Sequence, residues 1–316
     1  MIKVAVIGVG YLGRYHAEKY ARMDGVKLVG VVDTDPARAE EVARATGSRP
    51  YTRIEEIEES IDAASIVVPT VFHHDVTRAL LSRGVHCLVE KPFTKTVDEA
   101  DNLIELARKK GLILQVGHIE RFNPAVAFLI EHARSPLFIE AHRLSGFKER
   151  ALDVDVVLDL MIHDIDIVLA LVQSPLKEFR AVGVPVLTLT VDIANVRLIF
   201  ENGCTANLTA SRISLRPMRR VRIFQPGCYL SADCAEQSNL IVTRTPGTTG
   251  FGSVHPDFIT RERSDILFEE IAAFIRAIRG EDRVIVTGED GRNALKLASD
   301  ITWSIQETIR ALPDIS

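Results

Sequence analysis

The opening run Met1-Ile2-Lys3-Val4-Ala5-Val6-Ile7-Gly8-Val9-Gly10-Tyr11-Leu12-Gly13 decides the fold. A short apolar segment ends in three glycines spaced Gly-x-Gly-x-x-Gly, and a stretch with helical spacing follows. The three glycines serve different ends. Gly8 allows a tight turn, Gly10 lets the backbone approach a pyrophosphate, and Gly13 lets helix and strand touch. The free amides of the helix start then face the phosphates. Asp33 closes the next apolar run, 20 residues beyond Gly13. A carboxylate at that spacing accepts hydrogen bonds from ribose hydroxyls and repels a 2′-phosphate, which favours NAD over NADP. An ordinary turn with a surface aspartate uses the same residue types, but it requires neither the strand before, the helix after, nor the spacing.

Working outward, short apolar runs at 4–7, 28–32, 65–68, 86–89 and 112–116 read as strands buried on both faces. Helical stretches at 15–23, 36–46, 74–83 and 97–110 alternate with them, and Asp35-Pro36 is a strong helix start. Such alternation predicts a parallel sheet with right-handed crossovers. The pattern changes near residue 120. Runs at 179–187, 192–200, 204–211, 219–225, 229–232 and 240–244 follow one another without helices, with turn residues Glu201-Asn202-Gly203 and Pro226-Gly227 between them. Amphipathic helices are expected at 265–279 and 289–310. The expected architecture is an α/β domain with an N-terminal Rossmann parallel sheet, residues 1–119, followed by an α+β domain with a largely antiparallel, open-faced sheet, residues 120–316. With few following helices to cover it, that sheet is expected to bury one face against another subunit, giving a homodimer or homotetramer.

A net charge of −5 offers no basic field for a nucleic acid. Cys87, Cys204, Cys228 and Cys234 contain no Cys-x-x-Cys pair, so neither a zinc ribbon nor a disulfide framework is encoded, and a reducing cytoplasm is expected. The N-terminus lacks the features of a secretory leader. The most apolar long stretch, 155–172, is broken by Asp159, His163, Asp164 and Asp166, which argues against a membrane span.

Two further features carry chemistry. Glu90-Lys91-Pro92 ends the strand at 86–89, placing a lysine where open α/β sheets bind ligands, and the X-Pro bond after it is one that can be cis. Asp159, His163 and Asp166 fall at i, i+4 and i+7, on one face of a helix. A polar stripe on a half-exposed helix has the same pattern. A metal site ranks low, because no second histidine or cysteine accompanies the stripe.

With the glycine turn, Glu90-Lys91-Pro92, Pro69-Thr70-x-x-His73, the Gly117–Pro124 stretch and Asp159-x-x-x-His163 in this order, the sequence resembles the glucose-fructose oxidoreductase, inositol dehydrogenase and MocA family over nearly its whole length. The resemblance implies an NAD-dependent dehydrogenase of a sugar, nucleotide sugar or polyol, with Lys91, Asp159 and His163 catalytic. Cofactor contacts are implied for Gly8, Gly10, Tyr11, Leu12, Gly13, Asp33, Pro69, Thr70, His73, Glu90 and Lys91. Substrate contacts are implied for Lys91, Arg121, Asn123, Asp159 and His163. The segment 191–229 is most similar to the branch that oxidises C3 of UDP-N-acetylglucosamine for lipid A assembly. An inositol-type polyol dehydrogenase and a non-catalytic NAD-binding regulator remain the alternatives. Arg212, Arg216, Arg219, Arg220 and Arg222 offer phosphate contacts, or form a solvated face. Asn123 before Pro124 also reads as a helix cap.

Overall fold

Strand β1 (Ile2–Ile7) lies at the centre of a six-stranded parallel sheet ordered β3-β2-β1-β4-β5-β6. Its partners are β2 (Val26–Val32), β3 (Arg49–Tyr51), β4 (Ala63–Ile66), β5 (His86–Glu90) and β6 (Leu114–Gly117). The crossovers carry α1 (Tyr11–Ala21), α2 (Pro36–Thr46), α3 (His73–Ser82) and α4 (Val97–Lys110). The computed structural model describes residues 1–147, 154–245 and 254–311. Helix α2 starts as expected: the Asp35 side chain accepts from the amides of Ala37 and Arg38 ahead of Pro36. Helix α1 begins at Tyr11, earlier than its charge pattern suggests, because the glycine turn itself supplies the Gly10 cap. The three-residue β3 escaped the sequence reading, being short and containing Pro50.

The chain divides into two compact units: Met1–Ile119 with Asp265–Leu295, and Glu120–Ser264 with Lys296–Ser316. This corrects the expected domains of 1–119 and 120–316 for residues 265–295, and the reason is packing. Helix α7 (Ile266–Arg279) turns Leu267, Ile271, Phe274 and Ile275 into the same buried cluster as Val4 and Val6 of β1 and Ala17 and Tyr20 of α1. Burial of each large side chain there contributes about 1.5–3 kcal/mol. Gly288 and Gly291, at the start of α8 (Gly288–Ala311), also press on the first unit: a Cβ on Gly291 would stand 2.6 Å from the Val116 side chain.

The second unit is built on an eight-stranded sheet ordered β14-β13-β12-β11-β7-β10-β9-β8. Its strands are β7 (Phe138–Leu144), β8 (Leu176–Val184), β9 (Ile193–Phe200), β10 (Thr205–Ser211), β11 (Met218–Gln225), β12 (Cys228–Asp233), β13 (Ser238–Arg244) and β14 (Val254–Ile259). All neighbours are antiparallel except β7 and β10, which run parallel. Helix α5 (Pro124–His132) precedes β7, and α6 (Ile162–Val172) follows it. No helix among the described residues is long and apolar enough to cross a membrane. None of the four cysteines is in a disulfide.

Candidate active site

The sheet order of the first unit reverses between β1 and β4, so a crevice opens at their carboxyl ends. Two loops meet there. Gly8 follows β1 with φ +85°, and a Cβ on it would lie 2.6 Å from the Val67 carbonyl oxygen, just past β4. A Cβ on Gly13 would lie 1.9 Å from the Gly8 oxygen, so helix α1 closes on the turn as the spacing demands. Gly10 differs: nothing stands within 4 Å of its would-be Cβ, and that space faces outward from the turn. The crevice has a volume of about 620 Å³ and is lined by Gly8, Gly10, Asp33, Arg38 and Pro69 among others.

Asp33, at the end of β2, is buried to 7% exposure. The amides of Val9 and Asp35 donate to its two oxygens at 2.9 and 3.0 Å, which fixes the carboxylate against the glycine turn. Arg38 adds bonds of 3.3 and 3.4 Å from a half-exposed side chain. These residues fit a dinucleotide: a first helical turn without a side-chain cap or acidic residue for the phosphates, open space over Gly10, and a preset acceptor for the ribose. Tyr11 and Leu12 open α1, Tyr11 exposed and edge-on to Tyr15. Pro69 and Thr70 form the exit from β4.

Lys91 follows β5 directly, half-buried, and its bond to Pro92 is cis. Two residues expected to touch cofactor brace this turn. His73 is buried; its Nδ1 faces the carbonyls of Pro92 and Phe93 at 2.9 and 3.2 Å, and its Nε2 that of Val68 at 2.8 Å, which ties the β4 exit to the lysine turn. Glu90 points inward, 3.1 Å from His16 Nε2 of α1, and accepts the Lys91 amide at 3.3 Å. The reason is the period of the strand: a residue adjacent to Lys91 faces the opposite side of the sheet.

In the second unit, Asp159 lies in a turn of π-helix, Val157–Met161, and His163 in the first turn of α6; both are half-buried. The expected unbroken α-helical stripe is therefore corrected. The wider turn shifts Asp159 relative to the residues that follow, and Asp166 is buried against Arg121 at 3.3 Å. Asn123, expected at the substrate, is the α5 cap: its Oδ1 accepts the Ala125 amide at 3.0 Å, while its Nδ2 donates to Glu120 and to the Cys234 carbonyl. The arginine cluster disperses. Arg212 is buried and donates to the Val154 carbonyl, Arg220 pairs with Asp233 and Arg222 with Glu140, leaving Arg216 and Arg219 exposed.

The sequence reading missed Arg143. This residue is buried in β7, bidentate to Asp164 at 2.9 Å and bonded to Glu120 at 2.7 Å. Burial alone pushes the Glu120 carboxyl up, but Arg143, Arg219 and the Asn123 amide outweigh it and hold it below the usual range. The signal was an arginine at an inward position of the alternating strand Phe138–Leu144. Asp164 adjoins His163, so this network anchors the start of α6.

A crevice of this build, at the reversal of a doubly wound sheet, is the cofactor half of a dinucleotide-dependent oxidoreductase. Residues 2–118 match the oxidoreductase family with an NAD-binding Rossmann fold, and residues 130–225 the GFO/IDH/MocA C-terminal domain. The chain belongs to this GFO/IDH/MocA family and is an NAD-binding dehydrogenase. It is 40% identical to UDP-N-acetylglucosamine 3-dehydrogenase of Acidithiobacillus ferrooxidans over 96% of this chain and 97% of that one. A solved structure of that enzyme matches with a TM-score of 0.91, at 39% identity, over 97% and 98% of the two chains. Myo-inositol 2-dehydrogenase of Thermotoga maritima is 25% identical over 97% of each chain.

Proposed function

We propose that the chain oxidises C3 of UDP-N-acetylglucosamine to a ketone with NAD as acceptor. The observation that carries this reading is the near-full-length likeness to the Acidithiobacillus enzyme; Glu90-Lys91-Pro92 and Asp159-x-x-x-His163 in this sequence support it. The amides at the start of α1, Gly8, Gly10 and Gly13 would hold the pyrophosphate, and Asp33 the adenosine ribose. When bound, NAD supplies the hydride acceptor. What the chain itself must handle is the hydroxyl proton. Histidine suits its removal near neutral pH, and a lysine ammonium stabilises the developing alkoxide; Lys91 and His163 share these two roles, with Asp159 balancing their charge. Arg216 and Arg219 are the exposed cations for a diphosphate.

The test is NADH formation with UDP-N-acetylglucosamine against myo-inositol. Turnover of the nucleotide sugar supports the reading, and turnover of inositol alone overturns the substrate. Lys91→Ala and His163→Ala should each lower kcat by about 10²–10⁴-fold with NAD affinity largely kept; full activity in both removes their assignment. The 3-keto product is expected to serve lipid A assembly in the cytoplasm. The open face of the eight-stranded sheet, with Val182 and Val184 exposed on β8, is expected to seat another copy of the chain, which light scattering of the purified protein would show.

A further inference from the structure

Helix α7 presents Leu267, Glu270, Ile271 and Phe274 to the interior in the i, i+3, i+4, i+7 pattern of an apolar stripe, with an acid in an apolar position. Glu270 is wholly buried, and neither of its oxygens has a hydrogen-bond partner among the described residues. Its carboxylate, that of Glu90 and the His16 ring offer atoms that all lie within 4.8 Å of one another. Glu90 is already committed to His16 and to the Lys91 amide, and its carboxylate packs over Gly117, where a Cβ would stand 3.0 Å from it.

We propose that Glu270 is a neutral, proton-bearing positioning residue, which lets Glu90 keep its grip on the Lys91 turn. Two charged carboxylates at this separation, both buried, would repel each other, and the cheapest relief is a proton on the one that makes no other bond. Burial and the Glu90 charge both push the Glu270 carboxyl well up, and among the described residues no cation opposes them. Among the described residues, the titratable groups around it are His16 and Tyr20 from α1 and Glu90 from β5; Gln115 of β6 donates to its backbone carbonyl. An acid whose pKa is raised in the folded state is destabilising once its ordinary range is passed: stability is highest below that range and is lost as pH rises toward the folded value.

The inference rests on Lys91 serving the reaction, so its test has a readout of its own. Glu270→Gln, neutral at every pH, should gain in melting temperature over the natural protein progressively from pH 5 to pH 8. It should also keep kcat near the natural value. Glu270→Ala should lower kcat about ten- to a hundredfold. Infrared difference spectra of the natural protein against Glu270→Gln at pH 7 should show a protonated carboxyl band. A Glu270→Gln variant that is equally destabilised across that range, or the absence of that band, overturns the proposal. A rise in melting temperature on adding zinc to the natural protein but not to the variant does so too, because the cluster then holds a metal rather than a proton. If Lys91→Ala retains full turnover, the catalytic reading fails while the melting series still decides the proton.

Discussion

Glycines 10 and 13 sit three residues apart in one turn and carry opposite constraints. Gly13→Ala drives a methyl group into the Gly8 carbonyl, so it should lower both melting temperature and NAD affinity. Gly10→Ala meets only open space and should melt like the natural protein, yet weaken NAD in a fluorescence titration, because its methyl group stands where a phosphate approaches. Asp33 is the second residue with a separable effect. Asp33→Ala removes the proposed ribose acceptor and leaves Arg38, half-exposed, paired with Asp35. Affinity for NAD should fall and the preference over NADP shrink, as paired titrations with the two cofactors would measure; unchanged selectivity would sink the assignment.

At the scale of the element, the buried charges decide which helices hold. Arg143 joins β7 to α6 and to the segment before α5, and removing one member of a buried pair typically costs about 3–5 kcal/mol. Arg143→Ala should therefore lower the unfolding free energy by an amount of that order, as a denaturant titration would measure. Phe274→Ala in α7 should cost about 3–5 kcal/mol by leaving a cavity in the first unit. The same two elements show where the sequence stopped being legible. The parallel sheet could be read because buried strands and capped helices announce themselves locally: Asp35-Pro36 and Gly8–Gly13 behave as their residue types require. Strand β7 could not, since Arg143 spoils its apolar face and only the distant Asp164 and Glu120 explain why an arginine belongs inside. Asn123 was readable both ways, and local capping won. The resemblance implies cofactor contacts for His73 and Glu90, whereas their hydrogen-bond partners, the Pro92 carbonyl and His16, are far away in sequence and leave no local signal. The π turn at Val157–Met161 leaves no signature in spacing, so Asp159 kept its place in the motif but not its helical face.

Across the whole molecule, the first unit is assembled from two stretches of chain separated by about half its length. A fragment of residues 1–119 lacks Leu267, Ile271 and Phe274 and should be less stable than the same fragment joined by a linker to residues 265–295, by circular dichroism melting. Equal stability would show that α7 is dispensable. The arrangement also sets an order of events on the ribosome. All six strands of the parallel sheet have been synthesised by Gly117, but the helix that covers their core emerges only after the whole antiparallel sheet has been made. For that interval the nascent chain carries an uncovered apolar face on its oldest part, so the late-arriving α7, rather than the early glycine turn, marks the moment at which the cofactor unit is finished and safe from chaperones and proteases.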